Sequence, residues 1–141
     1  MRFLITGVKN GKSCVTEEID CTQTDGDMTV KTLLDLPIAS LPPRPAGKGG
    51  FIDLEISPGT VRWLRVRFSP HMNAPVHHTD SIDCMTVVAG SVDLILDDGA
   101  HRLVPGDSAM VKGVDHGWRT GAEECLITTL IFGTPAPANG T

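Results

Sequence analysis

The chain has 141 residues, 40% of them hydrophobic and 21% charged, with a formal net charge of -5. That length suits one domain with a buried core and is short for two, and the composition is globular rather than disordered. The acidic balance without any basic run argues against nucleic acid as a partner, and no window approaches 18 consecutive apolar residues, which excludes a transmembrane helix.

In chain order, residues 1–50 are mixed and polar. The opening "MRFLITGVKNGKSC" lacks the layout of a signal peptide, so a cytoplasmic location without membrane contact is expected. This region reads as an N-terminal arm of short strands or extended chain. It closes in the Pro/Gly-rich "LPIASLPPRPAGKGG", which forbids regular structure. "KTLLDL" is the one weak helix candidate. Cys14, Cys21, Cys84 and Cys125 form no C-x-x-C pair, so free thiols are expected, with Cys84 and Cys125 as small buried hydrophobes.

Residues 51–133 change texture: short apolar runs recur between turn signals, an all-β pattern. "VRWLRVRF" alternates, with Leu64, Val66 and Phe68 on one face and Arg65 and Arg67 on the other, as a half-buried strand requires. "DCMTVVAGSVDLIL" breaks at Ala89–Gly90. "LDDGAHRL" carries a hairpin signal at Asp98–Gly99, and "LVPGDSAMV" a type II turn pair at Pro105–Gly106. "HGW" precedes a last strand, "CLITTLIF", and residues 134–141 form a flexible tail. Strands spaced this way build a sandwich or small barrel.

The chemistry concentrates in "PVHHTDSIDCMTVVAG". His77 and Thr79 share a face with Asp83 if the strand runs regularly from 77 to 83, and Asp83 shares one with Met85 and Val87. A carboxylate in line with apolar residues faces an interior and needs a partner there. His116 and Trp118 share a face on their own strand. His71 and His101 read as surface histidines, His78 as facing solvent or the barrel exterior, and Asp80 and Ser81 as turn-formers.

His77, Asp83, Gly90, the Gly106–Asp107 turn and His116 follow in the order and spacing of the two motifs of the cupin superfamily. The resemblance spans roughly residues 55 to 133. It implies a jelly-roll (double-stranded β-helix) barrel following the arm, and a homodimer. Trp63, on the charged face of its strand, independently marks an interface. Thr79 stands where the family's second motif histidine would be. The family pattern assigns His77, Asp83 and His116 as catalytic residues and as ligands of a divalent metal (Fe, Zn, Mn or Ni) held weakly or partially. Two imidazoles and a carboxylate suit such ions. The expected function is metal-assisted lyase, dehydratase, isomerase or decarboxylase chemistry, or oxygenase chemistry with iron. The substrate would be a small, largely apolar oxygenated molecule, walled by Leu64, Val66, Met85, Val87, Leu94, Leu96, Val111 and Trp118. Metal-free acid/base catalysis by His77 and Asp83, and ligand binding without catalysis, remain open alternatives, because fold does not dictate function.

Overall fold

The computed structural model describes residues 1–23 and 26–139. Eleven strands fill two sheets: β1 (Arg2–Lys9), β2 (Lys12–Asp20), β3 (Gly50–Phe51), β4 (Val61–Phe68), β5 (Asn73–His78), β6 (Ser81–Ala89), β7 (Val92–Leu96), β8 (Gly99–Leu103), β9 (Ser108–Val111), β10 (His116–Arg119) and β11 (Cys125–Gly133). Among the described residues the only helical segment is a 3-10 turn at Ile38–Ser40; "KTLLDL" is not helical.

The pairing pattern decides the architecture. β7 pairs with β8, β6 with β9, β5 with β10 and β4 with β11, all antiparallel. Such nesting is one long ribbon, folded at the β7–β8 hairpin and wrapped into two facing sheets, which is a jelly-roll. The first sheet runs β2-β1-β9-β6-β11-β4 and the second β3-β5-β10-β7-β8. The N-terminal segment contributes two strands: β1 and β2 form a hairpin at Asn10–Gly11, and β1 runs parallel to β9.

Two turn signals in the barrel behave differently. Val104–Asp107 closes on the Asp107 N–H to Val104 carbonyl bond with Gly106 at φ 91°, as a type II turn demands. The β7–β8 reversal, expected on Asp98–Gly99, centres one residue earlier. Leu96 pairs with Gly99, so Asp97 and Asp98 make the turn and Gly99 absorbs the positive φ behind it. Gly90 is obligatory twice over: its φ is 72°, and a Cβ there would overlap the Glu124 carbonyl.

The core lies between the sheets. Met85, Val87, Leu94, Leu96, Val111 and Trp118, expected to wall a pocket, are instead buried together with Leu4, Leu103 and Ile127. Alternation along β6 and β7 is what brings them to one side, and each fully buried Leu or Val is worth roughly 1.5–3 kcal/mol. A second cluster covers the outer face of the first sheet, where Leu41 and Leu34 of the arm lie on Phe3, Ile82, Met110 and Phe132. Cys84 packs into this outer cluster and Cys125 into the inner one.

Candidate functional site

A paired imidazole cluster forms on the second sheet. His77 on β5 stands opposite His116 on β10, with ring centroids 4.4 Å apart. Opposite residues then slip: His116 faces His77, but Trp118 faces Ala74, so two residues of β5, Pro75 and Val76, oppose one of β10. This β-bulge lets both Ala74 and His77 turn inward although they are three apart, and bulges beside active sites commonly re-aim a side chain this way. The rings continue inward: His116 meets Trp118 edge-on at 5.7 Å, and Trp118 stacks on Phe68.

The tautomers follow from the hydrogen bonds. His77 Nδ1 lies 2.9 Å from the Pro75 carbonyl and His116 Nδ1 2.8 Å from the Val114 carbonyl. A carbonyl only accepts, so each Nδ1 carries a proton, and the neutral form of either ring has its lone pair on Nε2. Burial pushes the His116 pKa down to about 4, helped by the neighbouring histidines and opposed by the Val114 bond and Asp115. His116 is therefore a neutral acceptor at physiological pH.

Asp83 reaches the interior from the other sheet. β5 ends at His78 and β6 begins at Ser81, so residues 79 and 80 form a corner between sheets rather than a continuing strand. The regular strand expected from 77 to 83 is absent, whereas Asp83 shares a face of β6 with Met85 and Val87 as expected. Facing sheets stand about 10 Å apart, so the carboxyl and the imidazoles belong to opposite walls of the barrel. Its hydrogen bond comes from Ser81 Oγ at 2.6 Å, and Ser81 Oγ also meets Thr79 Oγ1 at 2.9 Å. Burial pushes the Asp83 pKa up to about 6, with the Ser81 bond opposing. Of the expected trio, His77 and His116 are brought together, and Asp83 stands on the other sheet. Among the described residues no group of three His, Cys, Asp or Glu side chains is arranged to hold a metal ion.

No family model matches the chain. A phomopsin biosynthesis cluster protein of Diaporthe leptostromiformis is 32% identical over 105 residues, 74% of this chain and 48% of that protein. A cupin-domain-containing oxidoreductase of Aspergillus ruber is 32% identical over 66 residues, 46% of this chain and 32% of that protein. Less than half of the chain is thus similar to part of a protein named for a cupin domain. Among solved structures, a cupin-superfamily sugar phosphate isomerase from Silicibacter pomeroyi is similar at 23% identity and a TM-score of 0.46, covering 53% of this chain and 52% of that one. The chain spans about half the length of the first curated relative it matches.

One polar cluster lies outside the motif residues. His78, expected at solvent or the barrel exterior, does point away from His77 but is buried, because residues 44–50 run over it as a strap. Asp115 binds the strap, accepting hydrogen bonds from the Lys48 and Gly49 amides at 2.6 and 3.0 Å and from His78 Nδ1 at 2.9 Å. Burial pushes the Asp115 carboxyl up, but these donors outweigh it and hold its pKa below the usual carboxylate value. A Cβ at Gly47 would overlap the His78 ring and one at Gly49 the Val76 carbonyl, so these two glycines are what let the backbone approach. Arg44 adds a second clasp, bonding Asp80 at 2.8 Å and lying over the Phe51 ring. The signal was available: a Gly-rich loop preceding a strand, and an aspartate directly before His116.

The other histidines lie apart from the interior. His71 is exposed at a turn with φ 55°, and His101, on β8 rather than in a loop, bonds Asp98. The Cys84 thiol is raised to about 11 by burial and by the charge of Asp83, which removes it as a nucleophile.

Proposed function

We propose that this chain is a cupin enzyme moving protons within a small, largely apolar molecule that carries a hydroxyl beside a carbonyl, in isomerisation or elimination of water. One observation carries the reading: a buried carboxyl whose pKa is raised to about 6 stands on the sheet opposite the paired rings of His77 and His116. The Nε2 lone pairs of His77 and His116 accept the hydrogen bond of a substrate hydroxyl or enol, and so orient it. In this reading Asp83 takes a proton from carbon and returns it, with a pKa close to the operating pH as general acid/base work requires. Trp118, Phe68 and Val66 keep water from the apolar end. The names of the relatives, a biosynthesis cluster protein and an oxidoreductase, support a small-molecule substrate. A cytoplasmic homodimer, meeting through the face around Trp63, completes the reading.

A second reading, metal-assisted catalysis, is favoured by the Nδ1–H bonds of both imidazoles. Metal-bound histidines characteristically donate their other ring N–H to a carbonyl or carboxylate. His77 and His116 fit as two ligands of a divalent ion, and with only two the ion would be held weakly. Such an ion would polarise the substrate oxygen.

The test is deuterium incorporation. The protein, purified with and without chelator, is incubated in D2O with simple α-hydroxy ketones, and carbon-bound deuterium is read by NMR. Exchange that survives chelation and falls by about 10²- to 10⁴-fold in Asp83→Asn supports proton transfer by Asp83. Exchange only after Mn2+, Fe2+, Ni2+ or Zn2+ is restored, and lost in His116→Ala, moves the conclusion to the metal. Tight binding of these compounds without exchange would leave a binding protein.

A further inference from the structure

His77 and His78 are adjacent on a strand, and only one of them can face the interior. We infer that Asp115 and the strap are positioning groups that hold the bulge in β5, and so select His77 rather than His78 as the imidazole presented beside His116. This rests on the proposed role of the His77–His116 pair and holds for either reading of it.

The competing arrangement follows from counting. Arg119 stands opposite Asn73 and Trp118 opposite Ala74. Continued without a bulge, that register sets Gly117 against Pro75, His116 against Val76 and Asp115 against His77. Ala74, Val76 and His78 would then face inward and His77 outward. The straight strand has points in its favour. It would bury Val76, which is 44% exposed, and it would mend the interrupted ladder. Pro75 brings no amide to either arrangement. The sequence of β5 alone does not choose the bulge.

The strap does. In the bulged register Asp115 stands across from His78 and accepts its Nδ1–H at 2.9 Å. The Lys48 and Gly49 amides bind the same carboxylate, so strap, carboxylate and ring close as one unit of charge-assisted bonds. The strap also touches the bulge itself, with Gly49 against the Val76 carbonyl and Gly47 against the His78 ring. Beyond it, Gly50 and Phe51 pair with His77 and His78, and the Ile52 amide bonds the His78 carbonyl at 3.0 Å. Straightening would carry His78 one residue along β10, about 3.3 Å, and break these contacts together. It would also drag the corner at residues 79–80, where Arg44 at the head of the strap bonds Asp80 at 2.8 Å. On the inner side, the Pro75 carbonyl accepts the His77 Nδ1–H at 2.9 Å, so the bulge orients the ring that it turns inward.

The experiment needs no substrate. Histidine rings are labelled with 13C and 15N in the full chain and assigned by their loss in His77→Gln, His78→Gln and His116→Gln. Contacts between rings are read as NOEs. The parent should show a His77–His116 contact, the centroids being 4.4 Å apart, and none between His78 and His116. In Asp115→Ala the His77–His116 cross-peak should lose about half its intensity or more, as two registers of similar free energy share the population. A His78–His116 contact should appear, the two then being diagonal neighbours on one face. Gly47→Ala, which pushes the strap off the His78 ring and leaves every strand residue in place, should do the same, and it decides the matter if Asp115→Ala fails to fold. A His77–His116 contact that stays whole in both variants overturns the inference and leaves the register to the corner, where the Thr134 amide bonds the Asp80 carbonyl. Deuterium exchange keeps the two proposals apart. Where the parent exchanges, KM in Asp115→Ala should rise about two- to tenfold at unchanged kcat, because only the bulged fraction binds substrate. A parent without exchange overturns the proposed function, while the ring contacts still decide the register.

Discussion

Replacing Asp83 by asparagine should stabilise the protein near neutral pH and do little in acid. In the folded state the carboxyl titrates at about 6, raised by burial, whereas in the unfolded chain it titrates near its ordinary value of about 3.9. Because the folded pKa is the higher one, the folded state binds more protons between these values, and stability is lost as pH rises through that window. Below about pH 4 the carboxyl is protonated in both states and costs little. Above about pH 6 it is charged in both, and burying the charge costs about two pK units, or roughly 3 kcal/mol. Asparagine has nearly the same shape and no charge, and its amide can still meet Ser81. Denaturant unfolding of the two proteins at pH 7.5 should therefore favour Asp83→Asn by about 2–3 kcal/mol, a gain of roughly 6–10 °C in Tm. At pH 4 the gap should fall below about 1 kcal/mol. All other titrating groups are common to both proteins and cancel in the difference. A variant less stable than its parent at pH 7.5, or a gap that does not change with pH, would refute the argument that burial dominates this carboxyl.

Two further outcomes follow from other parts of the molecule. Asp115→Ala leaves two amides and His78 Nδ1 without their acceptor, which should cost about 2–4 kcal/mol and expose the strap, so trypsin should cut after Lys48 faster than in the parent; unchanged cleavage would mean that the strap is held elsewhere. Light scattering should give about twice the 15.0 kDa chain mass, and Trp63→Glu should shift this toward the monomer, since Trp63 is 77% exposed beside Val88 and a groove of about 380 Å³; a monomeric parent would remove the dimer.

The jelly-roll was legible because its strands are short, alternating and punctuated by glycine, a pattern set by neighbours along the chain. Val104–Asp107 and the break at Gly90 were equally local and matched. The N-terminal hairpin carried a strong signal as well, Asn10–Gly11 between apolar runs, but the polar texture of β2 masked its place in the sheet. At the site, parity along an unbroken strand was the wrong measure. The corner at 79–80 and the bulge at Pro75–Val76 reset which side chains face inward, and both depend on the partner strand. The strap over His78 was illegible for a related reason: Asp115 and Gly49 are brought together by the barrel, not by proximity in sequence.

The bulge makes the histidine doublet tolerant of a shorter chain. Removing one residue from Pro75–Val76 would leave Ala74 and His77 two apart in plain alternation beside β10, both still inward, with His78 still outward. The imidazole pair and the ring under the strap would both keep their places. What would exchange the two histidines is straightening β5 at its present length, so an alignment that counts parity from Ala74 without the bulge would assign the wrong histidine.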